Sequence, residues 1–204
     1  MGQDAVTVER GDGDMGDGDT GGGAAGDARA RLRDLIAERS VLKGGDFKLA
    51  SGGQSSVFFD MKMTLLTPDG LDLVGEQVFQ AVKDDAVAAI GGLVLGACPI
   101  VDAVCLKSGA AGAPISAFYV RKEPKDHGTD KLIEGPLDPG ARVAVVEDVT
   151  TKGNSALKAA QAARKHGCEV VRVVTIVDRL EGARANLEAN GLPLTALFTR
   201  DDFI

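Results

Sequence analysis

The sequence predicts an α/β domain, a mostly parallel twisted sheet flanked by helices, with a small N-terminal hood. Three observations carry this. Apolar runs of strand length alternate with helical patterns through residues 86–178. The runs, such as Val143, Ala144, Val145 and Val146, lack the polar alternation of a half-solvated sheet, so both faces should be covered. Finally, Glu147 and Asp148 stand at the end of such a run, where open α/β sheets place their ligands.

Each element follows from local pattern. Residues 1–26 hold nine glycines and almost no large apolar side chains, so they read as a disordered acidic tail that cannot offset its ordering entropy. The domain proper is expected over residues 27–204, with the hood mainly at 27–66. Residues 27–39 space Leu32, Leu35 and Ile36 as a helix does. In FKLASGGQSSVFFDMKM, apolar residues from Phe47 to Met63 flank a Ser/Gly turn, the pattern of a hairpin. A helix starts near Pro68, and a strand is expected at 86–90. A loop at 91–98 leads to a helix from Pro99 to about residue 107, with proline in its first turn. Residues 114–120 form the next strand, followed by a charged loop at 121–135. The strand ending on Glu147 and Asp148 leads through a turn to a helix from about Ser155, closed by Gly167. A strand at 170–177 ends on Asp178 and Arg179.

Composition narrows the function. The net charge is −7, but residues 1–26 hold six acids and one base, which is −5, leaving −2 for the body. A nearly neutral body has no electrostatic footprint for nucleic acid. The longest uncharged run, residues 86–101, is too short and too rich in glycine to span a membrane. Three cysteines, Cys98, Cys105 and Cys168, form no C-x-x-C pair, and only two histidines accompany them, so reduced thiols and a cytoplasmic location are expected. The Asp-Gly repeats of the tail miss the spacing of a calcium-binding EF-hand: counted from Asp17, the twelfth position is Ala28.

Two adjacent carboxylates are costly to bury unless a ligand wants them. The turn after them, Thr150 to Ser155, leads into a helix N-terminus, whose free amides and dipole favour an anion such as phosphate. Carboxylates for hydroxyls beside amides for phosphate describe a phosphorylated sugar. The order Lys152-Gly153 is wrong for a Walker A loop, and no G-x-G-x-x-G closes a strand. Too few residues follow Asp148 for a receiver domain, whose paired acids end its first strand. In the charged loop, Arg121, Lys122, Lys125 and His127 supply cations, and Gly128 suits a lid that closes over substrate.

These residues resemble a known family. VAVVEDVTTKGNS is similar to the phosphoribosyl pyrophosphate (PRPP) motif of type I phosphoribosyltransferases, and FYVRKEPKDHGTDKLIEG resembles the catalytic loop of orotate phosphoribosyltransferases. The hairpin FKLASGGQSSVFFDMK and the strand end VDRLEG fit as well, so the likeness spans about residues 28–182. It implies transfer of a phosphoribosyl group from PRPP to orotate, giving orotidine 5′-monophosphate and pyrophosphate in pyrimidine synthesis. By resemblance Lys125, His127 and Asp148 are catalytic. PRPP binding is implied for Arg121, Lys122, Lys125, His127, Glu147, Asp148, Val149, Thr150, Thr151, Lys152, Gly153, Asn154 and Ser155, and orotate binding for Thr151 and Arg179. A homodimer whose catalytic loop serves the neighbouring subunit is implied, with Mg2+ riding on the pyrophosphate and ribose oxygens.

The chain departs from the family pattern at three points. Gly96 and Ala50 stand where some members have a lysine, and Lys152 where a small residue is common. The sequence leaves open whether Lys62 stands in for a missing cation and whether Lys152 faces phosphate or solvent. A PRPP-sensing regulator on the same fold and a transferase for another base are the alternative readings. A sensor could dispense with the four loop cations, all of which are present.

Overall fold

A computed structural model of the chain describes residues 21–48, 54–123 and 132–204. Most of the acidic tail, Ala50, and the loop residues Lys125, His127 and Gly128 lie outside the described residues.

The first helix, α1 (Gly21–Arg39), starts six residues earlier than its apolar spacing predicts. The last part of the expected tail is therefore helical, an extension from the end anchored by the fully buried Leu32 and Ile36. Arg39 grips both oxygens of Asp69 at 2.9 Å, tying this helix to the start of α3 (Pro68–Val82). Strands β1 (Val41–Lys48) and β2 (Gln54–Phe59) form the expected antiparallel hairpin, with Val41 opposite Phe59. The hairpin stops at Phe59, short of the predicted Met63. Fully buried Met61 turns inward, and residues 62–65 close into a single helical turn, α2 (Lys62–Leu65).

The main sheet has six strands: β3 (Ala89–Leu93), β4 (Ser116–Val120), β5 (Ile133–Glu134), β6 (Arg142–Thr150), β7 (Glu169–Asp178) and β8 (Leu194–Thr199). Their order is β5-β4-β3-β6-β7-β8, parallel throughout except for the short edge strand β5. Helices α4 (Cys98–Ala110), α5 (Asn154–Lys165) and α6 (Ala183–Ala189) complete the domain. Strand β6 shows why its residues are apolar without interruption. Ala144 and Val146 join the core beneath α1, α3 and α4, whereas Val143 and Val145 join the core beneath α5 on the other face.

Strand β3 lies three residues later than predicted, because Gly91 and Gly92 belong to it and not to a loop. Both are packing positions. A Cβ on Gly91 would lie 2.5 Å from the Phe118 ring, and one on Gly92 would lie 2.3 Å from the Val146 carbonyl oxygen. The charged loop also ends differently: its last residues return to the sheet as β5, pairing with Tyr119 and Val120.

Candidate active site

The register of the sheet opens the site. Strand β3 pairs with β6 only as far as Gly91 opposite Val145, then leaves β6 for the turn at residues 94–97. Beyond Val146, whose carbonyl still packs against Gly92, that edge of β6 borders a cleft instead of a paired strand. The two acids therefore sit within the last turns of the strand and not beyond it, at the carboxyl end where the sheet predicts a ligand.

The cleft has a volume of about 450 Å³. Phe58, Phe59 and Lys62 of the hood form one wall, and residues 93–97 another. Lys122 closes one side, and Val146 to Val149 with Ser155 and Ala156 form the floor. A smaller depression of about 190 Å³ adjoins it, sharing Glu147, Val149 and Ser155 and adding Thr151, Lys152, Gly153 and Asn154. The expected carboxylate pair and the expected phosphate turn thus lie side by side.

The turn is shaped for an anion. Gly153 takes a left-handed conformation (φ 72°), and a Cβ there would press on Leu187 at 3.0 Å. The chain then enters α5 with its first amides unpaired by helix bonds. Asn186 of α6 donates to the Lys152 carbonyl at 2.7 Å and to Asn154 Oδ1 at 3.3 Å, clamping the turn from behind. Lys152 is exposed on the rim of the depression.

Burial governs the acids. It pushes the Glu147 carboxyl up to about 7, with the Asp148 charge adding to the rise while Ser155 and the Ala156 amide oppose it. Glu147 Oε2 is buried without a hydrogen-bond partner among the described residues. Burial raises the Asp148 carboxyl too, against the Val149 amide, which donates to Oδ1 at 2.9 Å, and the opposing charge of Lys62. Two adjacent carboxyl groups in a cleft, one with an unpartnered buried oxygen, are suited to sugar hydroxyls or a substrate-borne cation.

Thr150, Thr151 and Arg179 do not line the cleft. Thr150 is fully buried, its hydroxyl lacks a hydrogen-bond partner among the described residues, and it lines neither depression. Thr151 lines the phosphate-side depression and not the cleft. Arg179 is only 3 % exposed and lies behind the hood wall. It donates to Glu181 at 2.9 Å and to the Val57 carbonyl at 3.2 Å, 5.8 Å from the centre of the Phe59 ring. Arg121 pairs with Glu134 at 3.6 Å and anchors the base of the loop through its amide to the Leu132 carbonyl.

Residues that the sequence did not single out also contribute. Phe58 and Phe59 line the cleft, and their alternation in the hairpin already signalled that one ring must face each way. Lys158 donates to the Lys122 carbonyl at 2.5 Å, and Asn186 clamps the phosphate turn; both interactions are tertiary and leave no local signature.

A mostly parallel sheet with a carboxylate pair and a glycine turn into a helix at the carboxyl ends of its strands is the architecture of the type I phosphoribosyltransferases. No protein-family model matches the chain. The chain is 45% identical over 181 residues to the orotate phosphoribosyltransferase of Bradyrhizobium diazoefficiens, covering 87% of this chain and 96% of that one. With the orotate phosphoribosyltransferase of Aquifex aeolicus it shares 47% identity over 179 residues, covering 86% and 97%. The Mycobacterium tuberculosis orotate phosphoribosyltransferase superposes with a TM-score of 0.76 at 40% identity, covering 86% of this chain and 98% of that one. Its complex with PRPP superposes at 0.71 and 35% identity, covering 87% and 92%. The chain belongs to the orotate phosphoribosyltransferase family.

Proposed function

We propose that the protein transfers the 5-phosphoribosyl group of PRPP to orotate, forming orotidine 5′-monophosphate and pyrophosphate. The observation that carries this is the placement of Glu147 and Asp148 beside the turn at 151–155, in two adjoining depressions that share Glu147, Val149 and Ser155. The acids accept hydrogen bonds from the ribose hydroxyls, and the amides of residues 152–155 take the 5′-phosphate. As the bond from the ribose carbon to pyrophosphate breaks, positive charge grows on the sugar and negative charge on the leaving group. Asp148, at the cleft floor, stabilises the first. Lys122, Lys125 and His127 stabilise the second, with the loop excluding water as it closes. Arg179 is assigned to the orotate carboxylate, whose charge its guanidinium complements.

Magnesium accompanies PRPP in this reading and neutralises the pyrophosphate charge. Among the described residues no cluster of three or more His, Cys, Asp or Glu is close enough to hold a metal. The Glu147–Asp148 pair, with its unpartnered Oε2, fits an ion carried mainly by substrate oxygens. The active form is a homodimer in which the loop of one subunit reaches the substrate of the other. Exposed Met63, Leu66, Leu95 and Leu106 give it apolar surface to cover. The location is cytoplasmic, consistent with three free cysteines. No helix among the described residues is long and apolar enough to cross a membrane.

Calorimetric titration with PRPP and magnesium tests the site. The native chain is expected to bind, and Asp148→Asn to bind at least roughly tenfold more weakly. Failure of the native chain to bind PRPP would overturn the proposal.

A further inference from the structure

The cleft must hold a pyrophosphate group, yet one of its walls brings no positive charge. Residues 93–97 contain no basic residue, and a Cβ on Gly96 would crowd the Asp148 carboxylate at 2.6 to 2.8 Å. Among the described residues lining the cleft, the cations are Lys122 and Lys62.

Lys62 is built for the task. It opens α2 directly after the hood hairpin, and the Asp60 amide donates to the Ser40 carbonyl at 2.8 Å, which fixes the end of the hairpin. Fully buried Met61 pins the residue between them. The Lys62 ammonium pairs with Asp60 at 2.6 Å, and its side chain remains half exposed to the cleft. It lies near enough to Asp148 for its charge to favour that carboxylate. Lys62 and the turn at 93–97, which lacks a cation, line the same cleft. Lys62 is half exposed while the Asp60 oxygen it pairs with is buried, so the ammonium stays beside Asp60 and has further N–H donors to present to the cleft.

We propose that Lys62 binds the pyrophosphate group of PRPP, standing in for the absent cation at the turn, with Asp60 as the positioning residue that holds it ready. This assignment rests on the reaction proposed above. It makes the hood part of the PRPP site, not merely a wall for the base.

The test compares the native chain with Lys62→Ala, Lys62→Arg and Asp60→Asn. It reads PRPP affinity by calorimetry without orotate, the separate KM values for PRPP and orotate, and Tm. Lys62→Ala is expected to weaken PRPP binding roughly tenfold or more, the size of one lost charge-assisted hydrogen bond. The KM for orotate should stay within about twofold and Tm nearly unchanged, since the side chain is half exposed. Lys62→Arg should restore most of the affinity, and Asp60→Asn should lose less than Lys62→Ala. Native PRPP affinity in Lys62→Ala, or a loss confined to orotate, would overturn the Lys62 assignment alone. A native chain that does not bind PRPP would overturn the proposed reaction with it.

Discussion

Gly96 and Asp148 touch across the cleft: a Cβ on Gly96 would lie 2.6 Å from Asp148 Oδ1 and 2.7 Å from its Cγ. The neighbour is a side chain, so it can yield, but only by moving the carboxylate that faces the sugar. Gly96→Ala is therefore expected to leave Tm nearly unchanged while lowering kcat/KM by roughly tenfold or more. Steady-state kinetics beside a melting curve checks this, and full activity in the variant would show that the carboxylate position is not critical.

Glu147 makes stability depend on pH in a defined direction. Its carboxyl sits at about 7 in the folded chain against an ordinary 4.5, so the folded state keeps a proton that the unfolded state has lost. That contribution is fully present below about pH 4.5 and is lost as pH rises through about 7. A shift of this size corresponds to roughly 3 kcal/mol at most. Relative to Glu147→Gln, which titrates nowhere in this range, the native chain should lose stability between pH 5 and pH 8. Parallel melting profiles for the two proteins would contradict the assignment.

Arg179 couples orotate recognition to the hood. Its guanidinium joins Glu181 to the Val57 carbonyl beside the Phe59 ring, so removing it leaves the part-buried Glu181 carboxylate without this partner. Arg179→Ala is expected to cost about 2 kcal/mol of stability, because Glu181 keeps part of its hydration, and to abolish use of orotate. Adding Glu181→Ala should recover some stability but no activity. Undiminished orotate turnover in Arg179→Ala would place orotate recognition elsewhere.

Asn186 lines neither depression, yet it clamps the turn at 152–154 through the Lys152 carbonyl and Asn154. Asn186→Ala should raise the KM for PRPP several-fold and change kcat little, the signature of lost uniform binding. An unchanged KM would show that the turn is held adequately by Gly153 and α5.

Much of this arrangement was legible in the sequence because its signals are local. The unbroken apolar run of β6 encodes a strand with two covered faces, and its acidic end followed by a glycine-containing turn encodes the ligand edge. Close approach between elements was not legible. Gly91 and Gly92 read as loop residues, but they are glycines because Phe118 and the Val146 carbonyl lie against them. Arg179 read as a strand-end cation, and nothing local in the sequence announces its bond to the Val57 carbonyl of the hairpin. Helix α6, with seven residues, is too short to leave a helical period, and yet it brings Asn186 and Leu187 to the phosphate turn.

The most direct measurement follows the ultraviolet absorbance of orotate when the purified chain is mixed with orotate, PRPP and magnesium, with adenine, hypoxanthine and uracil run in parallel. A PRPP-dependent loss of orotate absorbance, with no turnover of the other bases, is the predicted result. PRPP binding without turnover of any base, or turnover of a base other than orotate, would contradict the account.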